Sequence, residues 1–462
     1  MLPLLLPLFG LPANPVLAQS AAPTDPVRQE VVKPQLVRPL PGQLDNVPVF
    51  NSNSPELVQT EGILLSTFPP AGKATPSAHL NVPLNHRFDI FAHHIAKATS
   101  PDDLRTLFLG IVVRNPNARP VQLSILQAAS YLSQPDAPFI DLPSYVENPD
   151  GDVYAGPGSR VTDEILRGQG TEQWPALVTI PPKSDYLLVN LPIPVKELEP
   201  PINGRSMLMR LRSTGPVYIA SLARFAQQQA DGTELPPDLA DWQQLLTSGA
   251  IAGPRDLAPT PPEQTKGFRY GRVAGVAIGS YWQARLADSP DAYHLTIPAP
   301  GEAISYGIST LNFGTLGTGQ IQSAPMVARY GDTAYRAHGN YGIQYQLTLP
   351  LLNPTARSQR VTLALQTPIK EDQLSKSGLR FFQPPEPRVF FRGTVRVRYT
   401  DERGLLRSRY IHLVQQRGQQ GQPLATLDLP AGDRRIVTVD LIYPPDSTPP
   451  QVLTLRTLPS QE

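Results

Sequence analysis

Apolar and polar positions alternate in short runs along most of this chain. LFLGIVVR at Leu107–Arg114, and the runs at 121–127, 186–191 and 207–211, are rich in apolar or β-branched residues and bounded by Asn, Pro and Gly. That punctuation predicts strands with short connections. One segment has a convincing helical period. Pro236-Pro237-Asp238 starts it, Asp238 supplies a cap, and Leu239, Trp242, Leu245 and Leu246 share a face before Gly249 ends it.

The runs also repeat. IVVRNPNARPVQLSILQ at 111–127 parallels LPLLNPTARSQRVTLALQ at 349–366, and 181–194 parallels 429–444. Leu211-Arg212-Ser213-Thr214 then parallels Leu455-Arg456-Thr457. Three matches in one order argue for an internal duplication. In each half an Asn-Pro turn is expected to fold its flanking runs back as a hairpin. The expected fold class is therefore all-β, with two related antiparallel β-sandwich domains of the immunoglobulin-like kind and a short helical connector. The divisions are a leader at 1–18, an extended arm at 19–55, a first sandwich at 56–230, a Pro-rich connector at 231–268 and a second sandwich at 269–462.

Composition narrows the chemistry. There are 54 prolines in 462 residues, a density that disfavours helical bundles and coiled coils. With no cysteine, disulfides, thiol nucleophiles and Cys-ligated metals are excluded. Forty Lys and Arg against 39 Asp and Glu leave a formal charge of +1, so a protein that coats nucleic acid is not expected. The opening MLPLLLPLFGLPANPVLAQS is apolar up to Val16-Leu17-Ala18, as in the h-region and cleavage site of a secretory signal peptide, although no basic residue precedes Arg28. No later run reaches the ~20 apolar residues that span a bilayer. Export to the periplasm or the extracellular space is the expectation.

Four segments carry a family resemblance: Arg38-Pro-Leu-Pro-Gly-Gln-Leu-Asp-Asn-Val-Pro-Val-Phe-Asn-Ser-Asn-Ser, His338-Gly-Asn-Tyr-Gly, 353–368, and Phe391-Arg-Gly-Thr-Val-Arg-Val-Arg-Tyr. Together they resemble a family of exported cyanobacterial proteins of unknown function, over about residues 31–457. The resemblance implies a location and no catalytic residue.

Locally the charge is uneven. Between Arg388 and Arg417 lie eight arginines and two acids, Asp401 and Glu402. If this segment is a hairpin in which Thr400 pairs with Leu405, Arg396, Arg398, Arg407 and Arg409 fall on one face. Such a face suits an anion, an acidic polysaccharide or another anionic envelope component; the alternative is a solvated edge whose charge blocks aggregation. Seven acids and two arginines occupy 141–172. Within them Asn148-Pro-Asp-Gly-Asp places Asp150 and Asp152 as calcium-like ligands, or as an ordinary Asp-Gly turn. No other cofactor is suggested.

His79, His86, His93 and His94 cluster, and Asp89 shares a strand face with His93, yet no zinc spacing is present. Satisfied structural histidines are expected there, and at His338. No nucleophile elbow, dinucleotide fingerprint or P-loop occurs. The function expected is thus a non-enzymatic binding or structural protein of the envelope or extracellular matrix. The alternative is an exported hydrolase of polysaccharide or peptidoglycan that uses paired carboxylates near 147–172.

Overall fold

The two runs that flank Asn115-Pro116, Leu107–Arg114 and Val121–Leu132, are both strands. They do not pair with each other. Leu107–Arg114 pairs with Asp185–Ile193, whereas Val121–Leu132 pairs with Leu177–Ile180. The second half does the same: Gln344–Leu352 pairs with Arg434–Ile442, and Gln359–Gln366 with Ala425–Leu429. Each Asn-Pro turn is therefore an arch from one layer to the next, not the expected hairpin. The last members of the repeat, Ile202–Phe225 and Gln451–Thr457, lie beside Val121–Leu132 and Gln359–Gln366 respectively. The duplication read from sequence is a duplication of strand pairing.

This computed structural model describes residues 27–170, 173–264 and 266–459. The expected leader at 1–18 lies outside the described residues. Strand far outweighs helix, with two α-helices among the described residues, α1 (Pro157–Arg167) and α2 (Leu239–Ser248). In the second half a seven-stranded and a five-stranded sheet share one apolar core. Leu347, Leu349, Val395 and Val439 meet Leu363, Leu365, Leu427 and Leu453 there.

The all-β expectation holds at that level, but the arm and the boundaries differ. Pro48–Ser52, expected in a docked arm, is an inner strand, parallel to Leu84–Lys97 and antiparallel to Ala274–Ile278. Gln29–Pro34 pairs with Gly378–Gln383, and Leu36–Arg38 runs parallel to Ala303–Ile308. A division at residue 268 would cut one sheet, because Ala274–Ile278 continues the sheet of the first half. A short strand is held by the neighbours it pairs with, and a local pattern does not name the distant partner.

The shared sheet is apolar on both faces. Phe91, Ala129 and Leu208 join the core of the second half, while Ile90, Ala92, Met207 and Met209 join that of the first. This is period-2 alternation with both faces covered. Helix α1, absent from the sequence expectation, buries Val161, Ile165 and Leu166 in the core of the second half. Gly158 on α1 lies so close to Pro445 that a Cβ there would sit 2.2 Å from its ring.

Helix α2 forms as predicted. The Asp238 side chain accepts from the Asp241 amide, and the Asp241 side chain accepts from the Asp238 amide, a closed capping box. The connector is packed down: Trp242 is fully buried against Gly110, where a Cβ would be 2.6 Å from the indole.

Candidate functional site

The arginine hairpin does not assemble the expected face. Thr400 pairs with Leu406, so Arg396 faces Tyr410, Arg398 faces Ser408, Arg407 faces Tyr399 and Arg409 faces Val397. Asp401 sets that register. Its carboxylate accepts from the amides of Arg403 and Leu405, each at 2.9 Å, and so closes a turn one residue longer than expected. One residue of slip leaves Arg396 and Arg398 on one face and puts Arg407 and Arg409 on the other.

Each guanidinium also has an internal partner. Arg396 and Arg398 both donate to Asp440, each at 3.2 Å, and the Asp440 side chain is fully buried. Arg407 pairs with Asp401 at 2.7 Å, and Arg409 with Glu147.

The calcium-like loop is occupied in a comparable way. Asn148 folds onto Val153, accepting from its amide and donating to its carbonyl. The loop carbonyls of Asn148 and Pro149 take Arg167 as their donor. Arg167 is in turn paired with buried Asp163 at 2.7 Å. Asp150 and Asp152 are left exposed on a turn, and a guanidinium uses the oxygens that a cation needs. No group of three His, Cys, Asp or Glu side chains is arranged to hold a metal among the described residues.

The clustered histidines are mostly satisfied. His94 is fully buried between Ser52 Oγ at 2.9 Å and the Pro55 carbonyl at 2.8 Å. His79 meets Ser66 Oγ at 2.9 Å. His93 bridges Ser206 Oγ at 2.8 Å and Glu56 at 3.4 Å, while Asp89 is taken by Arg87. His86 is exposed.

A different site forms where Asn51-Ser-Asn-Ser meets His338-Gly-Asn-Tyr-Gly. Period-2 alternation splits the first motif. Ser52 and Ser54 turn inward to His94 and Asp256, and Asn51 and Asn53 turn to a cleft of about 190 Å³. Tyr270, His338, Tyr341 and Lys370 line the same cleft.

In the second motif Asn340 is the brace. It donates to the Gln322 carbonyl at 3.0 Å and to Tyr345 Oη at 2.9 Å, and accepts from the Ala324 amide at 3.1 Å. The loop it fixes presents the His338 ring edge-on to Tyr270, centroids 4.8 Å apart.

Three polar atoms at this cleft have no hydrogen-bond partner: Asn51 Oδ1, Asn53 Oδ1 and His338 Nδ1. Their residues are only 4%, 3% and 7% exposed. Unpaired buried polar groups are costly, so three in one place single this cleft out. The Lys370 ammonium lies 4.4 Å from the Tyr270 ring centroid and donates to its hydroxyl, which donates to the Asn312 carbonyl at 2.7 Å.

Burial pulls Lys370 down to about 8, against an opposing pull from Asp372, and lifts Tyr270 to about 12. Burial, with Arg336 and Lys370, holds His338 down to about 4. At neutral pH the cleft therefore presents an ammonium, a phenol and a neutral imidazole.

His338 was expected to be structural, and the cleft was not foreseen. Its signal was present in the two family segments, but nothing local shows that residues 51 and 338 meet.

No helix among the described residues is long and apolar enough to cross a membrane. No curated protein matches the chain. Among solved structures, the chain is similar to the crystal structure of Lac15 from a marine microbial metagenome at 11% identity and a TM-score of 0.12. That match covers 82% of this chain and 55% of that one, so the chain spans about half the length of this neighbour, and the likeness carries no argument about fold or function. The segments that meet at the cleft fall within a match over residues 35–457 to the family described as "Protein of unknown function (DUF3370)", and the chain belongs to that family.

Proposed function

We propose that this is an exported, non-enzymatic binding protein of the cell envelope or extracellular matrix, and that it holds a small polar ligand in the Asn51–Asn53–His338–Lys370 cleft. The observation that carries this reading is the set of three unpartnered atoms on residues more than nine-tenths buried around one cavity. The apolar opening of the chain supports export, and the absence of cysteine is compatible with it. The arginine hairpin is the weaker binding surface, because its four guanidiniums already meet carboxylates of the chain.

The test is a thermal-shift panel of sugars, sugar acids, amino acids and small hydroxy acids on the full chain, repeated on Asn51→Leu and Asn53→Leu. A compound that raises the wild-type midpoint and leaves both variants unmoved supports the reading. A panel without effect on the wild type removes it.

A second reading keeps the exported hydrolase but moves it away from the carboxylates near 147–172, where Glu147 and Asp163 are paired with arginines, to another cleft of about 420 Å³ lined by Glu56, His93 and Asp446. Burial pushes both carboxyls up, but His93 and Arg272 outweigh it at Glu56 and hold that group below the usual carboxylate range, whereas Asp446 stays raised. Two carboxyls driven apart in this way suit an acid and a base. Glu56 is already paired with Arg272, which places this reading second. Release of reducing ends from a polysaccharide, abolished in Glu56→Gln, would establish it.

A further inference from the structure

The chemistry of the cleft also restricts the ligand, an inference that rests on the cleft reading above. Neither the Asn51 nor the Asn53 side chain has a hydrogen bond among the described residues, at the oxygen, which accepts, or at the nitrogen, which donates, so groups that both donate and accept suit them best. Hydroxyls do both whereas an ammonium only donates, and the electrostatics point the same way. Lys370 lines the cleft and Arg336 acts on its His338 ring. Neither cation has a carboxylate in ion-pair range among the described residues. Asp372, which acts on Lys370 from further away, is engaged by the Thr315 amide and hydroxyl, both at 3.1 Å. The remaining cation, Arg272, is paired with Glu56.

Such a cleft repels an ammonium and attracts an anion. The groups that meet the two amides are therefore hydroxyls, on a molecule that also carries negative charge. Asn51 and Asn53 stand two residues apart on one face, about 6–7 Å along an extended chain. That separation matches hydroxyls on different carbons of one sugar ring, with Tyr270 and Tyr341 as the apolar walls.

We propose that the cleft binds an acidic saccharide unit, a hexuronate, whose ring hydroxyls hydrogen-bond the Asn51 and Asn53 amides and whose carboxylate accepts from Lys370. His338 Nδ1 is left for a further hydroxyl. The same chemistry is offered by a free sugar acid and by a residue within an acidic polysaccharide.

The experiment is calorimetric titration of the full chain at neutral pH with galacturonate, galactose, galactosamine and trigalacturonate. Galacturonate is expected to bind at least about tenfold more tightly than galactose, the equivalent of one charge-assisted contact. Lys370→Gln should level the two sugars, and Asn53→Leu should weaken both. If Asn53→Leu fails to fold, Lys370→Gln by itself decides the charge question. Tighter binding of trigalacturonate assigns the site to a polysaccharide, and equal affinity assigns it to the free sugar acid. Equal binding of galactose and galacturonate, or preference for galactosamine, overturns the proposal. If the wider panel shifts the melting midpoint and no sugar acid binds, the hexuronate falls and the cleft reading stands; if nothing in the panel acts, both fall.

Discussion

Asn353 makes the same bonds in the second half that Asn115 makes in the first. Asn115 Nδ2 reaches the carbonyls of Arg119, Ile180 and Pro181 at 2.8, 3.0 and 3.0 Å. Asn353 Nδ2 reaches those of Arg357, Leu429 and Pro430 at 2.8, 2.9 and 2.8 Å. Both Oδ1 atoms accept the amide two residues on. Each Asn thus ties the arch to the end of the neighbouring strand, while Pro fixes φ at the crossing.

Removing either side chain leaves buried carbonyls without a donor. Asn115→Ala and Asn353→Ala should each cost about 1–3 kcal/mol in urea unfolding. Equal midpoints for wild type and both variants would show that the arches do not depend on these amides.

Gly110 and Trp242 form a second pair open to test. A methyl on Gly110 would lie 2.6 Å from the indole, so Gly110→Ala should destabilise by about 1–3 kcal/mol and shift the Trp emission to the red. Trp242→Leu in the Gly110→Ala background should recover part of the loss. If the two losses simply add, the contact is not the cause.

His94 should make stability depend on pH. Burial holds it down to about 4, against 6.5 for a free imidazole. Between those values the unfolded chain binds the proton and the folded chain does not. Its contribution is therefore full above about pH 6.5 and is lost as the pH falls toward about 4. Buried Asp89, Asp163 and Asp446 are raised and act in the opposite sense, so the measurement is a difference. Urea midpoints of wild type and His94→Asn should converge as the pH is lowered from about 7 to about 5. A constant gap would refute the assignment.

Asp440 tests whether the arginine hairpin is neutralised from within. Wild type should not be retained on a polyanion column at about 0.15 M salt. Asp440→Asn, which frees Arg396 and Arg398, should be retained there and released at higher salt. Retention of the wild type with the same salt dependence would restore the hairpin as a binding face.

Strand content, helix α2 and the repeat were legible because each is encoded locally. Alternation, an Asp cap, a terminal Gly and an Asn-Pro turn act within a few residues. Helix α1 was not legible. Its first residues are Pro157 and Gly158, its carboxylates read as an acidic loop, and the core that Val161, Ile165 and Leu166 bury against is supplied by distant strands. The hairpin was half legible: the turn was found, but its length rests on the amides that Asp401 accepts.

The sequence by itself determined a cysteine-free, proline-dense β protein built on a duplicated set of strands, because those properties follow from composition and short-range pattern. Tertiary structure decided which strands are neighbours, where the arginines point and which residues share a cleft. Pairing between distant segments is chosen by the fit of whole faces rather than by any one run. Asn51 and His338 carry no mark of each other until the sheet through Pro48–Ser52 and Ala274–Ile278 brings them together.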